Sequence, residues 1–599
     1  MNSLDRLANI LRTTAWSVSL TMAAGVSAVA AQTPVPASVV KQSDFAVDAL
    51  PPATIMTPTA QAIGTPEAAA PMKTAVPPTG VLEPLATLSP SDVISSAPAA
   101  TLASPKWQTP LPRVGNIVIP QSGPGYYSAL DQIMGQCREG PPKYPYPRVS
   151  PIMIPNYDVN WSYLKDPNNT DWDYADSLKW IPVCDGVTFT TGGEFRYQFR
   201  NDVNSNNRLT GVADAYNLYR TRAYGDLWVQ DWLRFYGEFI YADYTNRTLA
   251  PLLPESNRGD VLDLFADVRV FGDDASPVYL RVGRQELIYG SQRLISSSDW
   301  FNTRRPFQGV KAFTRTENWD LDVFAVQPVL VQAGRLDEVD HNQWFSGAWF
   351  TYRPSAGQNV DLYYLNLDNS NRGVAIGRNG VKGTYNVSTL GARYTGTLDN
   401  WLWDAEGMLQ FGSHANQSIM ANAFSVYGGY DFKGVFWNPQ LWVGVDHASG
   451  DSNPGLTGTR HTFNQLFPFG HYYFGYTDLV GRQNVNDVMV QAAVFPENWI
   501  TCVAQFHTLR LDSSRDALYG AAGAVVRQDK TGRAGNNIGN EVDFTTNFHL
   551  TNHSDVLIGY SQLFAGSFIK NTTPPGNAAR RAAQEVDPSV FYVQYSYRW

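Results

Sequence analysis

The chain closes on VFYVQYSYRW, Val590 to Trp599. Strand side chains alternate, so Phe591, Val593, Tyr595, Tyr597 and Trp599 fall on one face, with Tyr592, Gln594, Ser596 and Arg598 on the other. One face is aromatic and the other polar. A soluble sheet produces the same alternation, so the decision rests on what stands upstream.

Upstream the pattern repeats. In GGEFRYQFR, Phe195, Tyr197 and Phe199 oppose Glu194, Arg196, Gln198 and Arg200; in WLRFYGEFIYAD, Leu233, Phe235, Phe239 and Tyr241 oppose Arg234, Tyr236 and Glu238. VLDLFADVRV sets Leu262, Leu264, Val268 and Val270 against Asp263, Asp267 and Arg269. WLWDAEGMLQF and NEVDFTTNFHL repeat the scheme with Asp404, Glu406, Glu541 and Asp543 on their polar faces. Gly, Asn, Asp and Pro turns separate the segments, the mark of up-and-down β structure, and counting them gives about 18 strands.

Two architectures share this periodicity. A sandwich turns its polar faces to bulk water, whereas an outer-membrane barrel turns apolar faces to lipid and polar faces to a lumen. The start of the chain favours the barrel. Arg6 and Arg12, an apolar run from Ala15 and the small residues of VSAVAAQ form a secretory signal over residues 1–31, with removal expected near Ala30 or Ala31. Beyond it no stretch approaches the roughly 20 apolar residues of a spanning helix, so an exported spanning chain must use a closed barrel. Aromatics make up 13% of 599 residues although mean hydropathy is only -0.27, which suits aromatic belts better than a large soluble core. The expected fold is therefore an all-β transmembrane antiparallel barrel with a disordered N-terminal extension. Its size implies an aqueous channel.

Residues 32–113 are rich in Pro, Ala, Thr, Ser and Val, a composition that cannot offset chain entropy and predicts a disordered periplasmic linker. Residues 114–187 mix aromatics with prolines and read as an irregular periplasmic extension or plug; the barrel is expected over 188–599. Net charge of -9 argues against nucleic acid as a partner. Cys137 with Cys184 is the candidate bridge, with Cys502 left as a strand residue. The eight histidines show no HExxH or paired-ligand spacing, and there is no nucleophile elbow, triad or phosphate loop, so no enzyme is expected.

Two stretches resemble the bacterial alginate-export outer-membrane porins. LRVGRQELIYGSQRLISSSDWFNTRRPFQGVKAF (Leu280 to Phe313) matches in its GRQEL strand, QRL and DW-N-R-F-GV loop; DHASGDSNPG from Asp446 and FNQLFPFGHYYFGYTD (Phe463 to Asp478) match the SGD and FNxLFPxGHxYxGxxD segments. RDALYGAAG from Arg515 and the run from Gly539 agree, and the resemblance extends from about Trp161 to Trp599, leaving residues 32–160 outside it. It implies an 18-stranded barrel that carries an anionic polysaccharide, inserted into outer-membrane lipid by the barrel-assembly machinery that reads an aromatic end such as Trp599.

Rings of arginine concentrate a polyanion, and guanidinium forks suit carboxylates. Strand parity makes Arg196, Arg200, Arg220, Arg222, Arg234, Arg269, Arg281 and Arg393 lumen candidates, and the signature stretch adds Arg284, Arg293, Arg304, Arg305 and Lys311. Arg284 shares parity with apolar Leu280 and Val282, so an inward position for it requires a bulge. Eleven carboxylates, among them Glu194, Glu238, Asp263, Asp267, Asp404 and Glu406, share the inward parity, and arginine pairing with them is the competing account. Asp446 and Asp451 form an oxygen-rich candidate calcium loop without EF-hand spacing. The expected function is passive diffusion of an anionic polysaccharide or other hydrophilic solute. The alternatives are a general oligosaccharide porin and a structural, envelope-anchoring barrel.

Overall fold

The computed structural model describes residues 123–141, 155–159, 161, 164, 173–205, 209, 211–377, 380–454, 458–572 and 587–599. The signal sequence and the linker 32–113 lie outside the described residues.

Eighteen antiparallel strands form a closed barrel. They are β1 Val187–Val203, β2 Ala213–Val229, β3 Leu233–Thr245, β4 Asn257–Phe271, β5 Val278–Glu286, β6 Pro306–Arg315, β7 Trp319–Leu330, β8 Gln343–Tyr352 and β9 Gln358–Asn369. The second half comprises β10 Tyr385–Leu398, β11 Trp401–His414, β12 Gln417–Asp431, β13 Gln440–Ala448, β14 Val485–Glu497, β15 Ile500–Arg510, β16 Asn537–Thr551, β17 Ser554–Ala565 and β18 Ser589–Arg598. Each strand pairs with its neighbour in sequence, and β18 returns to β1 in the register Glu194↔Arg598 to Val203↔Ser589. Closure leaves no edge with unpaired backbone groups, which lipid requires.

Alternation sorts the two faces as the sequence predicts. Along β18, Phe591 is exposed while Tyr592, Gln594, Ser596 and Arg598 are buried. Phe235, Phe239, Leu264, Leu409, Phe411 and Phe544 stand 46–60% exposed on the outside, as a lipid-facing band does. At one rim Trp401 meets Tyr430 edge to face, with ring centroids 4.9 Å apart. Leu262 departs from the expected face. The β3–β4 register runs Glu238↔Asp263 and then Phe239↔Val261, so a bulge skips Leu262 and turns it inward, 3% exposed.

Connections are asymmetric. The turns after β2, β6, β10, β14 and β16 are short, and they share a rim with the start of β1 and the end of β18. Long connections, 287–305, 449–484 and 511–536 among them, leave from the opposite rim. Before the barrel, the helix Ala129–Met134 lies beside the β14–β15 turn, where Trp499 Nε1 donates to Gln132 Oε1 at 2.8 Å. Asp173–Trp180 lies against the closing seam, and Tyr157 is buried. Cys137, Cys184 and Cys502 are free thiols; the pairing considered from the sequence is not made.

Candidate lumen constriction

The β5–β6 connection 287–305 folds into the barrel instead of rising from its rim. At its C-terminal end it meets β1 and β2. Arg196 donates to the carbonyls of Asp299 (2.7 Å) and Phe301 (2.5 Å), and Arg220 binds the Asp299 carboxylate at 2.8 Å and Glu194 at 2.5 Å. Arg304 pairs with Glu286 at 2.5 Å and also with Asp299. Its N-terminal end reaches β7 and β11: Tyr289 donates to Asp322 (2.7 Å), Ser291 to Asp404 (2.5 Å), and Arg293 pairs with Asp404 (3.1 Å) and Glu406 (2.9 Å). The segment therefore crosses the lumen from β1 to β11.

A second connection, 449–484, meets it there. Phe467 N donates to Leu294 O and Phe469 N to Gln292 O, each at 2.9 Å, and the Trp300 indole stacks on the His471 imidazole at 3.8 Å and 8°. His471 Nδ1 and Trp300 Nε1 both reach the Asp478 carboxylate, at 2.8 and 3.2 Å. The far side is tied to the wall by Thr477, whose N–H and hydroxyl both donate to Glu541 at 2.8 Å. Gly475 makes this approach possible. Its φ is +85°, and a Cβ there would stand 2.2 Å from the Glu541 carboxyl carbon.

The wall around this constriction is paired. Arg222 binds Glu238 at 2.6 Å, Arg234 binds Asp226 at 2.7 Å, Arg281 binds Asp267 at 2.7 Å, and Arg393 binds Asp361 at 2.9 Å and Asp404 at 3.0 Å. Arg200 binds Asp202 at 3.2 Å and Lys311 lies 3.6 Å from Asp322. The interior expected to be aqueous thus holds buried, mutually neutralising ions beneath inward-folded connections. Arg196 and Arg305 are in no ion pair with a carboxylate among the described residues; Arg305 donates to the carbonyls of Ser296 and Pro468, both at 3.3 Å. The guanidinium hydrogen bonds of both go to main-chain carbonyls, and Arg305 also lies 5.7 Å from the centre of the Phe467 ring.

Four sequence candidates fall elsewhere. Arg269 lies at the short-turn rim, bound to Asp231 and Asp274, because its strand ends there. No bulge rotates Arg284 inward: β5 keeps continuous register with β6, and the guanidinium instead binds Asp260 (3.3 Å) and the carbonyls of Val261 and Asp337. Asp446 faces the barrel interior, where Arg482, Ser425 and Tyr427 occupy its carboxylate, while Asp451 N donates to Asp516. Among the described residues no group of three or more His, Cys, Asp or Glu side chains is arranged to hold a metal ion. Sequence reading passed over Glu286, Asp299, Trp300, His471 and Asp478 as site residues, since connections carry no periodicity that shows which way they fold.

The family described as alginate export matches residues 187–583. The chain belongs to the alginate export family. Both inward connections lie within that match, and the family places this barrel in the outer membrane as a channel. No curated protein matches the chain. Solved structures similar to this alginate-export barrel include Pseudomonas aeruginosa OpdO, at 12% identity over 69% of this chain and 97% of that one, with a TM-score of 0.43. Acinetobacter baumannii OccAB2 is 10% identical over 69% and 98%, with a TM-score of 0.44. The outer membrane protein OprD from Pseudomonas aeruginosa is 11% identical over 69% and 94%, with a TM-score of 0.42.

Proposed function

We propose that this alginate-export barrel conducts an acidic polysaccharide by passive diffusion, with the short-turn rim and the N-terminal extension on the periplasmic side, as short turns are in outer-membrane barrels. The observation that carries this reading is the constriction itself: two connections narrow the lumen where arginines and carboxylates pair along the wall from β1 to β11. A pore must bind its solute well enough to admit it and weakly enough to release it. Unpaired arginine rings would hold a polyuronate; guanidinium groups already satisfied by carboxylates exchange partners at smaller net gain. Arg196 and Arg305 supply the residual positive charge that favours anions.

The near balance of wall charge favours a second reading, a general channel for neutral oligosaccharides and small hydrophilic solutes. Planar-bilayer recording separates the two. Anion-selective conductance that polyuronate blocks, with both effects reduced by Arg305→Glu, is the expected result. Unselective conductance indifferent to the polymer overturns the first reading and leaves the second.

A further inference from the structure

The turn Asn156–Asp158, which precedes the barrel, is inserted among the inward side chains of β3, β4 and β5. Asn156 Nδ2 donates to Glu238 Oε1 at 3.0 Å, the Tyr157 hydroxyl to the Glu286 carbonyl at 2.8 Å, and Arg234 to the Tyr157 carbonyl at 2.8 Å. The Tyr157 ring stands edge-on to Tyr236 and Phe265, at centroid distances of 5.3 and 5.0 Å, with the Arg281 guanidinium 4.5 Å from its centre. Tyr224, Tyr236 and Phe265 stack in sequence across β2, β3 and β4, at 5.8 and 5.2 Å, giving the wall a continuous aromatic stripe under the turn.

Two features mark this seat as a place for another occupant. First, the wall does not depend on the turn: Arg222–Glu238, Arg234–Asp226 and Arg281–Asp267 are complete ion pairs without it. Second, polar groups there are left over. Arg281 Nη1 and both carboxylate oxygens of Asp263 are buried with no hydrogen-bond partner among the described residues, in side chains 1% and 0% exposed. Asp263 lies across from Glu238. Buried groups of this kind normally find partners. An apolar stripe flanked by a spare N–H donor and a spare carboxyl group suits a pyranose ring, whose C–H face packs on aromatic rings while its hydroxyls and any carboxylate take the polar groups.

We propose that the Tyr157 seat is a saccharide subsite in the channel, held shut by the chain's own N-terminal turn, which a pyranose unit of the transported oligosaccharide displaces. The inference rests on the saccharide-channel reading above. Tyr157 belongs to the extension and not to the wall, so its removal leaves the strand ladder intact.

The test compares the full-length protein with Tyr157→Ala in two measurements. Calorimetric titration in detergent with hexameric oligouronate, and separately with maltohexaose, reads the subsite; about tenfold tighter binding of at least one hexamer by Tyr157→Ala is expected. Arg281→Gln added to Tyr157→Ala should reverse the gain for the oligouronate if the uronate carboxylate is the group recognised. Bilayer recording reads the channel, with larger conductance and longer hexamer blockades expected for Tyr157→Ala. Equal affinity of the two proteins for both hexamers overturns the subsite, whatever the conductance. Tighter binding without conductance in either protein supports the subsite and removes the channel reading instead.

Discussion

Among single residues, Arg293 has the most to hold. It is fully buried and pairs at once with Asp404 and Glu406, so its removal takes a cation from two carboxylates in a packed interior, leaving Asp404 with Arg393 and Glu406 with the Tyr363 hydroxyl. Arg293→Gln should destabilise the barrel by about 3 kcal/mol, the lower end of the usual cost of breaking a buried ion pair, because both carboxylates keep another partner. Urea unfolding in detergent followed by tryptophan fluorescence measures it. An unchanged midpoint would mean that the connection contributes nothing to the fold. The inward placement of Arg293's partners was legible, because Asp404 and Glu406 alternate with Trp403 and Ala405 along one strand. That of Arg293 itself was not: it lies in a connection, where no period fixes direction. Leu262 and Arg284 show the limit within strands, since one bulge reverses parity and one long guanidinium reaches past its own face.

Connections are the elements that turn a barrel into a constriction, and two of them respond to separate perturbations. Gly475→Val adds a branched side chain where a Cβ already collides with Glu541, at a φ that valine avoids. The 449–484 connection should then leave the wall, raising single-channel conductance while the strands remain; conductance equal to that of the unsubstituted protein would show that this connection does not narrow the pore. The connection 331–342 should respond to pH. Burial, with Asp260 alongside, pushes the Asp337 carboxyl up to about 6, and Asp337 ties the segment through Gln332 N at 2.7 Å and Asn257 Nδ2 at 2.8 Å. A carboxyl raised in the folded state binds more protons there than in the unfolded chain between its ordinary value and about 6. Its contribution to stability is therefore complete below the ordinary value and is lost as pH rises through about 6. A spin label on Leu336→Cys, in a background without the native cysteines, should gain mobility between pH 5 and pH 7, about one unit either side of that midpoint, and Asp337→Asn should abolish the change. The sequence made the strands readable because lipid and lumen impose a period of two; it left these connections unread because their anchors are contacts distant in the chain.

For the whole molecule the decisive event is closure, since a sheet of 18 strands survives in lipid only when its last strand finds its first. The aromatic alternation of Val590–Trp599 foretold a last strand, and its partner is β1. What alternation did not reveal is the clasp over the seam. Lys179 Nζ donates to the Thr191 carbonyl at 2.5 Å and, at 3.2 Å each, to the Trp599 carbonyl and the Tyr224 hydroxyl, while Gly193 and Trp599 exchange backbone hydrogen bonds at 3.1 Å. Asp173 accepts from His553 at the β16–β17 turn, at 2.7 Å. The segment before the barrel thus bonds to both strands of the seam. Lys179→Met keeps an unbranched stem and removes the ammonium, with its donors and its place 4.5 Å over the Trp161 ring, so it should cost on the order of 1–3 kcal/mol. The seam opens first if the clasp governs closure, and the folded band on an unheated gel should then be lost at a lower incubation temperature than for the unsubstituted protein. The control is Lys433→Met, because Lys433 is 58% exposed and lies 3.9 Å from Asp431. Equal losses for the two variants would assign closure to the β1–β18 ladder alone.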